Sequence, residues 1–496
     1  MVSRRTFLKA VGLGASAALM PGLACGAVSG AAKRPNILFI LVDDQRNDTL
    51  GCAGHRILKT PNVDGLAARG VRFRNMFVTT SICAASRASI FTGLHERTHR
   101  YTFGTPPIMK EHSDAGYPVL MRQAGYHTGF IGKFGVGVER GVQDQMFDYF
   151  RPMNRHPYFK NQPDGSKRHT AELCGDRALE FLGEVPDGKP FCLSISFNAV
   201  HAEDSDKKDH YPWPKAVDGM YADGDIPKPR LGDPAIFESQ PPVLKDSMNR
   251  DRFFWRWDTP EKYDKNMRAY FRMISGVDRV VGRVLQALKE RGLDENTVVL
   301  YTGDNGYYMG DRGFAGKWSH YEQSLRVPLI IYDPRLPQGR RGRVVDPMAL
   351  NVDLTATMLD AAGLPVPAHY TGRSLVPILE GKAPGDWRTD FFCEHLMDTK
   401  RIPKWEGVRG ERYVYARYFE QEPPYEFLHD LKADPDQLHN LAGDPQYADT
   451  LGRMRKRCDE LRDAYGGPYV PRKRKPKPKR KAKATSKQVQ KPPPSA

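Results

Sequence analysis

Five short runs of β-branched, aromatic and aliphatic residues, at 36–42, 128–131, 191–197, 297–301 and 327–331, alternate with stretches whose apolar positions recur at helical spacing. Strands that are apolar along their whole length, rather than at every second position, are covered on both faces. The pattern therefore predicts an α/β fold with a large, mostly parallel mixed sheet sandwiched by helices. The clearest helices span 260–291, stopping at Gly292, and 354–362, before Gly363. Residues 202–259, rich in Asp, Pro and Lys with little periodicity, read as a long surface excursion over one end of the sheet. From about 367 the texture changes to short strands and turns, closing with a helix over 449–465, which predicts a smaller C-terminal α+β subdomain with an antiparallel sheet. No internal repeat of fixed period is present.

The ends of the chain differ from this body. Residues 1–32 hold Ser3-Arg4-Arg5-Thr6-Phe7-Leu8-Lys9 and a glycine- and alanine-rich apolar run, the form of a twin-arginine signal peptide. That implies the Tat export machinery as a partner and a periplasmic or secreted protein. Gly22 stands where a lipoprotein box has an aliphatic residue, which argues against lipid anchoring at Cys25, and the apolar run is too short for a membrane span. The formal charge of +16 changes meaning once it is located. Eleven Lys or Arg with no acid lie between Arg472 and Lys491, and three more basic residues lie in the leader, so the body is nearly neutral and needs no nucleic-acid partner. The 470–496 tail alternates Lys with Pro and cannot bury a core; it is expected to be disordered, either solubilising or an electrostatic tether to an anionic polymer. Six further cysteines, too few for a disulfide scaffold, would sit in an oxidising compartment.

Candidate chemistry collects where strands end, which is where ligands of open α/β sheets bind. The first strand runs into Asp43-Asp44, the second into Gly132-Lys133, the third into Val200-His201 and the fourth into Gly303-Asp304-Asn305. Any one pair reads as an ordinary solvated turn; four together do not. Asp43, Asp44, Asp304 and Asn305 offer only oxygen, which suits Ca²⁺ or Mg²⁺ better than zinc. Lys133 and Lys317 add positive charge fitted to an anionic substrate.

A fifth element is Ser81-Ile82-Cys83-Ala84-Ala85-Ser86-Arg87, with Cys83 opening a helix that Gly93 closes. A helix N-terminus stabilises negative charge, and Arg87, one turn on, shares the face of Cys83. A cysteine-dependent phosphatase would need its arginine six positions after the cysteine, where Ser89 stands, so that mechanism is excluded. The segment instead resembles the type I sulfatase signature of the alkaline phosphatase superfamily. The resemblance continues through Arg34-Pro35-Asn36, Thr60-Pro61-Asn62-Val63-Asp64, Gly125-Tyr126, Gly132-Lys133, Thr302-Gly303-Asp304-Asn305-Gly306, Tyr321-Glu322, Arg326-Val327-Pro328, Asp434-Pro435 and Asn440-Leu441.

The resemblance implies an alkaline phosphatase-like fold, with residues 33–366 as the catalytic domain and 367–469 as the C-terminal subdomain. It implies that Cys83 is modified to formylglycine, the nucleophile, and that Asp43, Asp44, Asp304, Asn305 and residue 83 hold one Ca²⁺. Arg87 and Lys133 would hold nucleophile and sulfate; His201 and Lys317 would contact sulfate and protonate the leaving alcohol. Ala85 replaces the usual proline, a variation typical of substrates of radical maturases, which makes such an enzyme a partner. Gly135 stands where many members carry a histidine, leaving His99, His127, His320 and His395 as other candidates for its role. A loop-rich rim with Arg97, His99, Trp318 and His395 would suit a sulfated carbohydrate, either a polysaccharide or a glycosaminoglycan. The competing expectations are a phosphomonoester or phosphonate hydrolase on the same scaffold, and an inactive glycan-binding relative.

Overall fold

Eight strands form the central sheet of the computed structural model, which describes residues 34–206 and 208–471. They are β1 (Asn36–Val42), β2 (Val71–Phe73), β3 (His127–Gly132), β4 (Tyr149–Pro152), β5 (Phe191–Phe197), β6 (Thr297–Gly303), β7 (Leu329–Tyr332) and β8 (Arg343–Val345). Their spatial order is β8-β2-β7-β6-β1-β5-β3-β4, and β7 alone runs against its neighbours. All seven residues of β1, of β5 and of β6 are buried. Ile37, Phe39 and Leu41 face one core, Leu38, Ile40 and Val42 the other, as a sheet covered on both sides requires.

Helices supply the two covers: α1 (Pro61–Arg69), α2 (Cys83–Thr92), α3 (Thr170–Glu184), α4 (Met248–Arg256), α5 (Pro260–Glu290), α6 (Asp353–Ala361) and α7 (Ala448–Ala464). The 31-residue α5 buries an apolar stripe from Met267 to Leu288 against α3 and the sheet, beginning at a Thr259 cap that accepts from the Lys262 amide. Four antiparallel strands, β9 (Asp390–His395), β10 (Trp405–Gly410), β11 (Tyr413–Tyr418) and β12 (Tyr425–Asp430), form a second sheet covered by α7. The described residues from Pro35 onward form one compact unit, in which Phe391 and Trp405 of the second sheet share the core of the first.

Two expectations change. The 327–331 strand begins two residues later, because the Val327 amide is spent on the Met76 carbonyl and Pro328 has no amide to give. The 202–259 excursion is not merely a surface covering: it contains α4, whose buried residues are Asn249 and Arg256 rather than an apolar stripe, and it forms a wall of the site. The expected signal peptide and the basic tail lie outside the described residues, apart from 470–471. No described helix is long and apolar enough to cross a membrane.

Candidate active site

Four adjacent parallel strands, β3, β5, β1 and β6, end side by side, and the loops after them carry Lys133, His201, Asp43-Asp44 and Asp304-Asn305. Lys133 is aimed by a close backbone approach: the Lys133 amide donates to the Ser196 carbonyl at 2.7 Å. A Cβ at Gly132 (φ 94°) would sit 2.0 Å from that same oxygen, so only glycine fits. Asp44 adopts φ 56°, a costly backbone for a residue with a side chain, held by its amide donating to Asp304 Oδ1 at 3.1 Å.

α2 brings up the fifth element. Its Ala and Ser residues are small enough for all ten positions to be buried, and the helix ends at Gly93 as expected. Its N-terminus opens at Cys83 with no side-chain cap, leaving the positive end of the helix facing the carboxylates. Cys83 Sγ and carboxylate oxygens of Asp43 and Asp304 lie within 4.8 Å of one another.

The cations bracket these groups. Arg87 Nε donates to Asp304 Oδ2 at 2.8 Å, while its Nη1 donates to the Lys133 carbonyl at 2.6 Å and to Ser196 Oγ. Lys133 pairs with Asp43 and Lys317 with Asp44. Asn305 Nδ2 donates to Asp44 Oδ1 at 2.7 Å, turning its own oxygen inward. His201 Nε2 lies 3.5 Å from Asp44 Oδ2. Burial would raise the Asp43 carboxyl, but Lys133, Lys317 and Arg87 outweigh it and hold Asp43 below the ordinary range. Burial and the neighbouring Asp43 push Asp304 up. Burial, then Arg155, Lys317, Lys133 and Arg252, hold His201 well below an ordinary histidine, so its resting imidazole is neutral.

The donor set fits a hard cation. Asp43 Oδ1, Asp44 Oδ2 and Asn305 Oδ1 are buried without a hydrogen-bond partner, although unpartnered buried acceptors are costly and rare. Three inward-facing oxygens, with Asp304 beside them, match the oxygen coordination of Ca²⁺.

The substrate-contact expectations divide. Arg97 and His99 do not join the site. Arg97 donates to Glu394 (2.7 Å), Glu406 (2.8 Å) and the Gly467 carbonyl (2.8 Å), tying α2's following segment to the C-terminal sheet. His99 is held between Ser89 Oγ and the Tyr101 amide. His127 stacks on Phe181 at the far end of β3, and His320 bonds Tyr418 and His429, so neither replaces the histidine absent at 135. Trp318 follows Lys317 at φ 77°, its carbonyl accepting from Trp405 Nε1 and its ring packed with Ile82 and Ala85 beside Cys83. His395 ends β9, next to Glu394, whose amide donates to the Thr79 carbonyl, and its buried ring nitrogens have no hydrogen-bond partner. Sequence reading missed Ser196, which steers Arg87, and Asn249, which donates to the Lys317 carbonyl at 2.7 Å. Ser196 had a signal, a hydroxyl in an otherwise apolar core strand; Asn249 had none.

A doubly covered parallel sheet with carboxylates, cations and a helix-borne nucleophile position at its strand ends defines a hydrolase of the alkaline phosphatase superfamily. Within it, the chain belongs to the sulfatase family, whose model matches residues 35–364; a second model, N-sulphoglucosamine sulphohydrolase C-terminal, matches 310–464. The protein is thus a sulfuric ester hydrolase. It is 27% identical to the N-acetylglucosamine-6-O-sulfatase of Bacteroides thetaiotaomicron, over 87% of each chain. Among solved structures it resembles an enzyme in complex with its substrate D-glucosamine-2-N,6-O-disulfate (26% identity, TM-score 0.69, 87% of this chain and 98% of that one). It also resembles the phosphonate monoester hydrolase of Agrobacterium radiobacter (26%, TM-score 0.73, 87% and 96%).

Proposed function

We propose that the protein is an exported sulfatase that removes sulfate from a sulfated carbohydrate, a polysaccharide or glycosaminoglycan, using formylglycine at position 83 and one Ca²⁺. The observation carrying this reading is the set of three buried, unpartnered oxygens of Asp43, Asp44 and Asn305, with Asp43 also grouped within 4.8 Å with Cys83 and Asp304. When present, a formylglycine would supply a hydroxyl nucleophile, and Ca²⁺ held by Asp43, Asp44, Asp304 and Asn305 would offset charge on the sulfuryl oxygens. The chain's own residues do the remaining work. Arg87, fixed by Asp304 and the Lys133 carbonyl, holds the nucleophile position against the strand ends. Lys133 and Lys317 exchange their carboxylate partners for sulfuryl oxygens as the substrate enters, stabilising charge that spreads in the transition state. His201, which faces Asp44 and is neutral at rest, stands where it hydrogen-bonds the departing alcohol oxygen, and it protonates that oxygen once it has taken up a proton beside the incoming anionic ester. The carbohydrate assignment rests on the sulfated-sugar relatives, and the export assignment on the twin-arginine leader.

The first test is the mass of the tryptic peptide spanning 75–87, from protein made in its own host or beside a radical maturase. The aldehyde is expected, with sulfate release from N-acetylglucosamine 6-sulfate; an intact thiol under both conditions overturns the nucleophile. A second reading, phosphonate monoester hydrolysis, is favoured by the likeness to the Agrobacterium enzyme. Faster turnover of a phosphonate monoester than of any sulfated sugar would establish it.

A further inference from the structure

Beside the site, three guanidinium groups converge on one carboxylate. Arg252 Nη2 lies 3.0 Å and Arg155 Nη2 3.5 Å from Asp204 Oδ2, while Arg256 bonds the other oxygen. One carboxylate neutralises one of the three. Of the other acids that act on Arg155, Glu203 is bonded by His156 at 3.1 Å and Ser205 at 2.6 Å, and Asp43 is paired with Lys133. Each of the three arginines keeps a buried Nε without a partner. A clamp that merely anchored α4 would need Arg256 alone, which is fully buried and also reaches Tyr307. Arg155 and Arg252 are different: their side chains stay 25% and 12% exposed, so part of each guanidinium side chain reaches solvent.

Both are joined to the catalytic groups. Arg155 touches His201 Nδ1, and His201 faces Asp44. Arg252 lies over the Trp318 ring at 4.9 Å from its centroid, and Trp318 adjoins Lys317. The excess positive charge thus sits one side chain away from where the scissile sulfate would bind, on the leaving-group side marked by His201.

We infer that Arg155 and Arg252 form a subsite for a second anionic group of the substrate, so that the enzyme prefers a sugar carrying another sulfate or a carboxylate beside the ester it cleaves. This rests on the sulfatase reading above and specifies its substrate class. A guanidinium fork matches either oxyanion, and the source is the same ring or a neighbouring uronic acid.

The test titrates full-length, Ca²⁺-loaded Cys83→Ala protein with three ligands: N-acetylglucosamine 6-sulfate, D-glucosamine-2-N,6-O-disulfate, and the monosulfated sugar linked to a uronic acid. Both doubly charged ligands, or the one whose second anion is correctly placed, are expected to bind more tightly than the singly charged one. Arg252→Gln should then shrink that preference by about ten- to hundredfold, with Arg252→Lys restoring part of it. Arg155→Gln serves the same purpose if Arg252→Gln does not fold. Equal affinities, or a preference that survives Arg252→Gln or Arg155→Gln, would overturn the subsite. Wild-type, matured enzyme separates the two readings. Sulfate released equally well from all three sugars leaves the reaction and removes the subsite; preferential binding without release leaves the subsite and removes the reaction.

Discussion

Two buried charge clusters lie within one chain segment of each other, and they are built on opposite rules. Around Arg97, the donor groups of the guanidinium meet Glu394, Glu406 and a backbone carbonyl, and Glu406 is bonded in turn by Arg417 at 2.8 Å. Around Cys83, cations and carboxylates are as deeply buried, yet oxygens of Asp43, Asp44 and Asn305 and the Nη2 of Arg87 have no partner. A saturated cluster holds elements together; an unsaturated one is costly to bury unless a ligand completes it. The difference separates scaffold from site without reference to any relative.

Breaking the unsaturated cluster should cost activity first. Cys83→Ala is expected to reduce sulfate release by at least about 10³-fold, as loss of a nucleophile does, while the thermal midpoint moves little because the side chain is small. Initial rates and a melting curve check both halves. Removing Ca²⁺ with a chelator, or substituting Asp43→Asn, should follow closely. Added Ca²⁺ at about 100 times its dissociation constant should stabilise the wild type by about 2.7 kcal/mol, and Asp43→Asn should abolish that gain. Calorimetry with and without Ca²⁺ measures it independently of turnover; an unchanged gain would remove Asp43 from the ligand set.

Breaking the saturated cluster should do the reverse. Arg97→Ala strands Glu394 in a buried environment and leaves Glu406 to Arg417, a loss of about 3–5 kcal/mol of stability. Activity per folded molecule should change less than threefold. Denaturant midpoints and rates corrected for the folded fraction test this, and a large loss of rate at unchanged stability would return Arg97 to the substrate.

The same contrast explains what was legible in the sequence. Asp43, Asp44, Lys133, His201 and Asp304 follow strands whose apolar runs are unmistakable, so the rule that ligands bind at strand ends located them. Cys83 was legible because small residues and Gly93 bound a helix of fixed length. Arg97 was misplaced because what saturates it, Glu394 of β9 and Glu406 of β10, lies some 300 residues further on, and no local pattern records that pairing; His99 was misplaced because its partners, Ser89 and the Tyr101 amide, turn it into the helix pair and away from the strand ends. Arg155, Asp204 and Arg252 were invisible for a related reason: Arg155 and Asp204 come from irregular segments, and Arg252 from α4, which buries polar residues and so carries no apolar stripe.

The smallest predicted effect falls at the boundary between the clusters' rules, at Gly135. Its φ of 73° disfavours any side chain, and a Cβ there would lie 2.8 Å from Arg87 Cδ. Many sulfatases have histidine at the corresponding place; here the space belongs to Arg87. Gly135→Ala should therefore cost about 1–3 kcal/mol of stability from backbone strain. It should also lower kcat about tenfold by displacing Arg87 from Asp304, with KM changed less, since a misplaced nucleophile support affects the transition state more than binding. Gly135→His should be worse than Gly135→Ala, because the larger side chain displaces Arg87 further. If Gly135→His instead raised kcat, the site would be short of a proton acceptor and not, as its geometry indicates, organised around the arginine that occupies that space.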